Sequence, residues 1–117
     1  MAIIVNTDDP RGLLSSIKEA IDRAKIETWS YDDDGDFTHT ADQWKRRAWL
    51  RARIREDRIV FNIIPPRAKA ISRVAYGIYH GRFIEMLLNH FDDKFKSVSA
   101  TALPTVNDRI KSRVVED

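Results

Sequence analysis

Three histidines, a run of aspartates and a row of arginines are the groups in this 117-residue sequence whose types and spacing could do chemistry. Imidazole titrates near neutral pH, so His39, His80 and His90 are candidate acids, bases or ligands. His80 lies inside the segment from Tyr76 to Glu85, where Arg82 and Glu85 stand three apart and can pair on the polar side of a helix. A catalytic reading of this segment uses His80 as acid or base and Arg82 to hold an anion, with His39 and Glu85 completing the set, as in a small hydrolase or nuclease. The competing reading is a buried, hydrogen-bonded His80 at a tight helix–sheet contact, with Gly77 and Gly81 permitting close approach. No nucleophile motif, phosphate loop or Gly-rich dinucleotide turn supports catalysis, so the reading leans away from an enzyme.

Neither a metal nor another cofactor is expected. No two histidines have the i, i+4 spacing of a helical zinc site, and there is no cysteine to complete one. A calcium loop starting at Asp32 would need glycine at its sixth position and glutamate at its twelfth, where Phe37 and Gln43 stand. The run Asp32-Asp33-Asp34-Gly35-Asp36 therefore reads as a solvated hairpin tip.

The arginines offer a different chemistry. Arg51, Arg53 and Arg55 alternate with Ala52 and Ile54, so on a strand they share one face, spaced about 6.6–6.8 Å apart. That is close to the spacing of successive phosphates on an extended nucleic-acid strand. Arg58 extends the row beyond a turn, and Trp44 and Trp49 could add stacking. The plainer interpretation is an ordinary charged strand face that discourages edge-to-edge association.

The elements that must position these groups follow from periodicity. Asp9-Pro10 starts a helix over about 10–26, with Leu13, Leu14, Ile17, Ala20, Ile21 and Ala24 on one side. Thr28–Tyr31 and Phe37–Thr40 flank the Asp-Gly turn as a first hairpin. Thr40 to Gln43 has capping-box spacing for a short helical turn. Ala48–Arg55 and Arg58–Ile63 form a second hairpin about Glu56-Asp57, in which Arg55 faces Arg58, Arg53 faces Val60 and Arg51 faces Asn62. From about 68 to 94 the chain reads as helix, yet its apolar stripe changes phase between Ile71–Ile78 and Tyr76–Phe91. Either the helix is sandwiched between two apolar surfaces, or, the favoured reading, it kinks or restarts near Gly77 and Gly81. Phe95 to Ala102 reads as a last strand ended by Pro104. The fold class is thus α+β, an antiparallel sheet of two hairpins plus a last strand with helices on one face. Residues 1–104 form a single domain, and 105–117 a polar tail or short helix.

Composition narrows the setting. The net charge of +2 conceals a segregation: residues 1–43 carry four basic and ten acidic side chains, whereas 44–82 carry eleven and two. A basic surface for an anionic partner, or an acidic hairpin folded over a basic one, would both produce it. Cysteine is absent, which excludes a disulfide scaffold and fits a cytoplasmic protein. The apolar run Ala2–Val5 is too short for a leader or a span, so no membrane association is expected.

The run from Trp29 to Leu50, with Tyr79-His80-Gly81-Arg82-Phe83, resembles a group of small uncharacterised bacterial proteins, a resemblance that implies no activity. The order helix, three-stranded sheet, helix is similar in topology to double-stranded-RNA-binding domains, which place phosphate-binding lysines where Arg67 and Lys69 stand. The acidic first hairpin and an extra strand depart from that pattern. Together these features read as a non-catalytic binding protein. Trp44, Trp49, Arg51, Arg53, Arg55 and Arg58 would meet an anionic partner, either nucleic acid or an acidic protein of the kind an immunity or inhibitor protein covers. The alternatives are the histidine hydrolase above, or a homodimer with Trp44 and Trp49 at its interface.

Overall fold

Proline at the first helical position and a capping aspartate set the start of the first helix. In the computed structural model, which describes residues 2–67 and 71–103, α1 spans Pro10–Asp22 and Asp9 Oδ1 accepts the Gly12 N–H at 3.0 Å. Its apolar side buries Leu13 and Ile17. The helix ends short of the expected residue 26, where Ala24 turns the chain with φ 58°.

The strands are β1 (Ala2–Asn6), β2 (Trp29–Tyr31), β3 (Phe37–His39), β4 (Trp49–Ile54), β5 (Arg58–Ile64) and β6 (Ser97–Ala100). They form a six-stranded sheet in the order β2-β3-β4-β5-β1-β6, with every neighbouring pair antiparallel. Both expected hairpins form. Gly35 takes φ 81°, the left-handed conformation that the Asp-Gly turn requires. In the second hairpin Arg53 pairs with Val60 and Arg51 with Asn62, and the Arg55 N–H donates to the Arg58 carbonyl at 2.8 Å. The last strand is present as β6. The stretch after Thr40 forms turns rather than a helix.

Strand β1 is an element that periodicity did not announce. Its residues Ile3 to Val5 are β-branched and lie between two neighbours, Ile3 facing both Phe61 of β5 and Ala100 of β6. Ile3 and Val5 are wholly buried. Ile4, on the face away from the helices, is apolar and only half-buried, so the run carried no period-two signal.

The second long helix, α2 (Arg73–Phe91), is a correction. It runs without a break through Gly77 and Gly81, both exposed, and nothing lies within 4 Å of where a β-carbon at either would sit. The glycines therefore mark neither a break nor a close approach. One buried face contains Ala75, Tyr76, Tyr79, His80, Phe83, Met86, Leu87 and Phe91. The phase change vanishes because Val74 and Leu88, 46% and 50% exposed, are left to solvent instead of being buried on a second side.

Both helices pack on one face of the sheet, which carries Ile3, Val5, Phe37, Leu50, Ile59, Phe61 and Ile63. Phe83 of α2 lies at the centre of the layer, its ring 4.9 Å from Trp29, 5.6 Å from Phe37 and 4.7 Å from Phe61. The architecture is thus two layers, and four strands separate the helices where the double-stranded-RNA-binding topology has three. Residues 68–70 and 104–117 lie outside the described residues, so Lys69 and the expected tail do too. Among the described residues, no helix is long and apolar enough to cross a membrane.

Candidate functional site: a basic strand and a polar cleft

Strand alternation places Trp49, Arg51 and Arg53 on the sheet face away from the helices, and the row is altered at Arg51. Phe37 faces Leu50 across β3 and β4, so the residue before Phe37 sits beside the residue after Leu50. There the Asp36 carboxylate takes two bonds from the Arg51 guanidinium, Nε to Oδ1 at 2.9 Å and Nη2 to Oδ2 at 2.7 Å. Asp36 is 4% exposed. The Arg51 pKa is raised, chiefly by this hydrogen-bonded pairing and further by the charges of Asp36, Asp34 and Asp32. The acidic hairpin therefore closes over the first arginine of the row, and Arg51 is not a cation free to meet a partner.

The remaining members differ in their surroundings. Arg53 is half-buried, with Nε enclosed and without a hydrogen-bond partner among the described residues. Arg55 and Arg58 are exposed, and Arg55 Nη1 donates to its neighbour's carbonyl at Ile54, 3.3 Å away. Trp49 is half-buried. Trp44 packs against the core, with the Arg47 guanidinium 5.4 Å from its ring centroid. Its loop is anchored to α2 by a hydrogen bond from the Tyr79 hydroxyl to the Trp44 carbonyl. Trp44 is thereby a structural element more than a stacking platform.

The aspartate tip is held by its own hydrogen bonds. Asp32 Oδ1 accepts the N–H groups of Asp34 and Asp36, both at 3.0 Å. Carboxylate oxygens of Asp32, Asp34 and Asp36 lie within 4.8 Å of one another. Since both Asp36 oxygens already accept from Arg51, the cluster is a turn and an ion pair rather than a prepared cation site.

The histidines separate. His80 is buried and donates from Nδ1 to the Tyr76 carbonyl at 2.7 Å, one turn earlier on α2, so it is a hydrogen-bonded core residue. His39 is elsewhere, on the helix-facing side of β3, 2% exposed, its ring edge-on to Trp29 at 5.1 Å. It lines a cleft of about 210 Å³ together with Trp29, Arg82, Glu85, Asn89 and His90. Three members of the catalytic set, His39, Arg82 and Glu85, thus converge while His80 does not line the cleft. Arg82 and Glu85 form no ion pair with each other. Asn89 and His90 join them unforeseen; the signal was the spacing on α2, with Asn89 one turn beyond Glu85 and two turns beyond Arg82. The Nδ1 atom of His39 accepts the Ala41 N–H at 3.1 Å. That bond fixes the neutral tautomer with its proton on Nε2. The His39 pKa is lowered by burial first and by the Arg82 charge second, with Glu85 acting in the opposite direction. At neutral pH His39 is therefore an N–H donor rather than a base.

No protein-family model matches this chain, and no curated protein or solved structure matches it significantly.

Proposed function

We propose that the protein is a non-catalytic binding protein that engages an acidic patch on a partner protein through the sheet face opposite its helices. The layering supports this reading, because both helices cover the same side. The other side presents Arg53, Arg55 and Arg58 toward the hairpin turn and Trp49 at the far end, with Ile4, Val60 and Ile64 partly exposed on the same face. Arginine and aromatic residues set among aliphatic ones are the composition of protein interfaces. A nucleic-acid backbone is the less favoured partner, since a continuous line of phosphates would run on into exposed Asp32, Asp33 and Asp34 at the Arg51 end of the row, whereas a compact acidic patch can be confined to Arg53, Arg55 and Arg58. The lack of cysteine fits a partner in the cytoplasm.

The test compares the wild type with an Arg53→Gln/Arg55→Gln/Arg58→Gln variant in cross-linking capture from a cell lysate, at low and high salt. Single-stranded and duplex RNA and DNA are titrated in parallel. The reading expects one protein partner retained by the wild type at low salt, weakened at high salt and lost by the variant. Equal capture by the variant would refute it. So would nucleic-acid binding that the triple substitution abolishes, since that outcome assigns the face to a polyanion.

A further inference from the structure

The cleft at His39 has a donor and acceptor pattern independent of the sheet face. His39 is almost fully buried, its Nδ1 is occupied by the Ala41 N–H, and its Nε2–H has no partner among the described residues. The Nε2–H is not sealed in the core but opens on the cleft, where a ligand or water can meet it. Arg82 and Glu85, on the cleft wall formed by α2, have no ion pair or side-chain hydrogen bond among the described residues. Two opposite charges three residues apart on a helix are placed to neutralise one another, and here both face a shared cavity unpaired.

The charge balance selects the ligand class. Arg82 contributes one positive charge, Glu85 one negative, and His39 is neutral, so the pair of charges suits a molecule that carries both signs itself. A guanidinium and an imidazole N–H are donors for a carboxylate, and a carboxylate accepts from an ammonium. Trp29 and Met86 supply an apolar wall, and Asn89 a further amide. The volume of about 210 Å³ is below the range of about 300–1,000 Å³ found for drug-sized ligands, which favours a very small molecule. We infer that the cleft between β3 and the C-terminal half of α2 binds a free α-amino acid, with its carboxylate on Arg82 and His39 Nε2–H and its ammonium on Glu85.

The experiment is an NMR titration of the isotope-labelled protein with free L-amino acids covering small, branched, aromatic and polar side chains. Acetate, methylammonium, and N-acetyl and methyl-ester derivatives of the best binder are added as half-ligands. At least one free amino acid should shift the resonances of His39, Arg82 and Glu85, and its blocked derivatives should bind about tenfold more weakly or less. Arg82→Gln and Glu85→Gln should each weaken binding about tenfold. Both side chains are exposed, so unchanged melting curves would show the variants folded. Lys94→Gln, outside the cleft, should leave binding as it is. The inference is overturned if no amino acid at millimolar concentration moves these resonances. It is equally overturned if acetate or the blocked derivatives bind as well as the free amino acid, or if Arg82→Gln binds like the wild type.

Discussion

Arg51 of β4 grips Asp36 at the end of the neighbouring hairpin through two bonds, at 2.9 Å and 2.7 Å, with the carboxylate almost withdrawn from water. The fork matches the planar geometry in which guanidinium–carboxylate pairs are strongest. The pair joins the acidic first hairpin to the basic second one at the point where β3 and β4 share little other register. Asp36→Asn should destabilise the fold by about 2 kcal/mol, because it weakens the pair and leaves an imperfectly matched, partly buried guanidinium. Urea unfolding of the two single variants and the Asp36→Asn/Arg51→Gln double variant checks this, the double costing less than the sum of the singles.

Gly77 and Gly81 are exposed in the middle of an unbroken helix, with free space around each. Gly77→Ala and Gly81→Ala should therefore each stabilise the protein by about 0.5–1 kcal/mol, through the lower helix propensity of glycine. Gly35→Ala should do the opposite, since φ at that turn is 81° and the new methyl would press on the Lys18 amine. Thermal melting of the three variants separates the two kinds of glycine.

Phe83 of the helix layer touches three aromatic rings of the sheet, on β2, β3 and β5. Phe83→Ala should cost about 3–5 kcal/mol, the range for removing a large buried ring and leaving a cavity. Phe83→Leu should cost much less, and chemical denaturation of the pair reads the difference.

His39 makes stability depend on pH with a definite sign. Its folded-state pKa is lowered below the ordinary 6.5, by burial and then by Arg82. The unfolded chain thus binds a proton more readily, and folding stability rises with pH in this range. The contribution is complete above the unfolded pKa of about 6.5 and is lost as pH falls from there through the lowered folded value. Melting temperatures recorded across this window should decline for the wild type toward low pH. They should decline less for His39→Asn.

The two hairpins and their register were legible because alternation and an Asp-Gly turn constrain them locally. Arg53 opposite Val60 follows from counting back from Glu56-Asp57, with no tertiary information needed. Periodicity misleads at α2, because it gives every apolar residue a buried side, whereas Val74 and Leu88 are left to solvent. Neither the Arg51–Asp36 pair nor the meeting of His39 with Arg82 and Glu85 could be read from spacing. The first depends on the offset between two hairpins. The second depends on where α2 crosses the sheet, which is fixed by Phe83 and its aromatic neighbours. His80 could be recognised as buried, since it falls in step with Tyr76 and Phe83 on one helical face.

The place of β1 between β5 and the edge strand β6 shapes how the chain must fold as it leaves the ribosome. This strand emerges before its partners, pairing first with β5 at residues 58–64 and then with β6 at residues 97–100. The ladder also closes through a bond from the Ala2 N–H to Thr101 Oγ1 at 2.8 Å. Until β5 appears, the apolar residues Ile3, Ile4 and Val5 have no strand to join. Once β2–β5 have assembled, the edge of β5 stays open until β1 docks. Such late, sequence-distant pairing slows folding and leaves a sticky edge exposed to other nascent chains. Synthesis that outruns chaperone supply should therefore drive this protein into aggregates through the β1–β5 seam, even where the finished fold is stable.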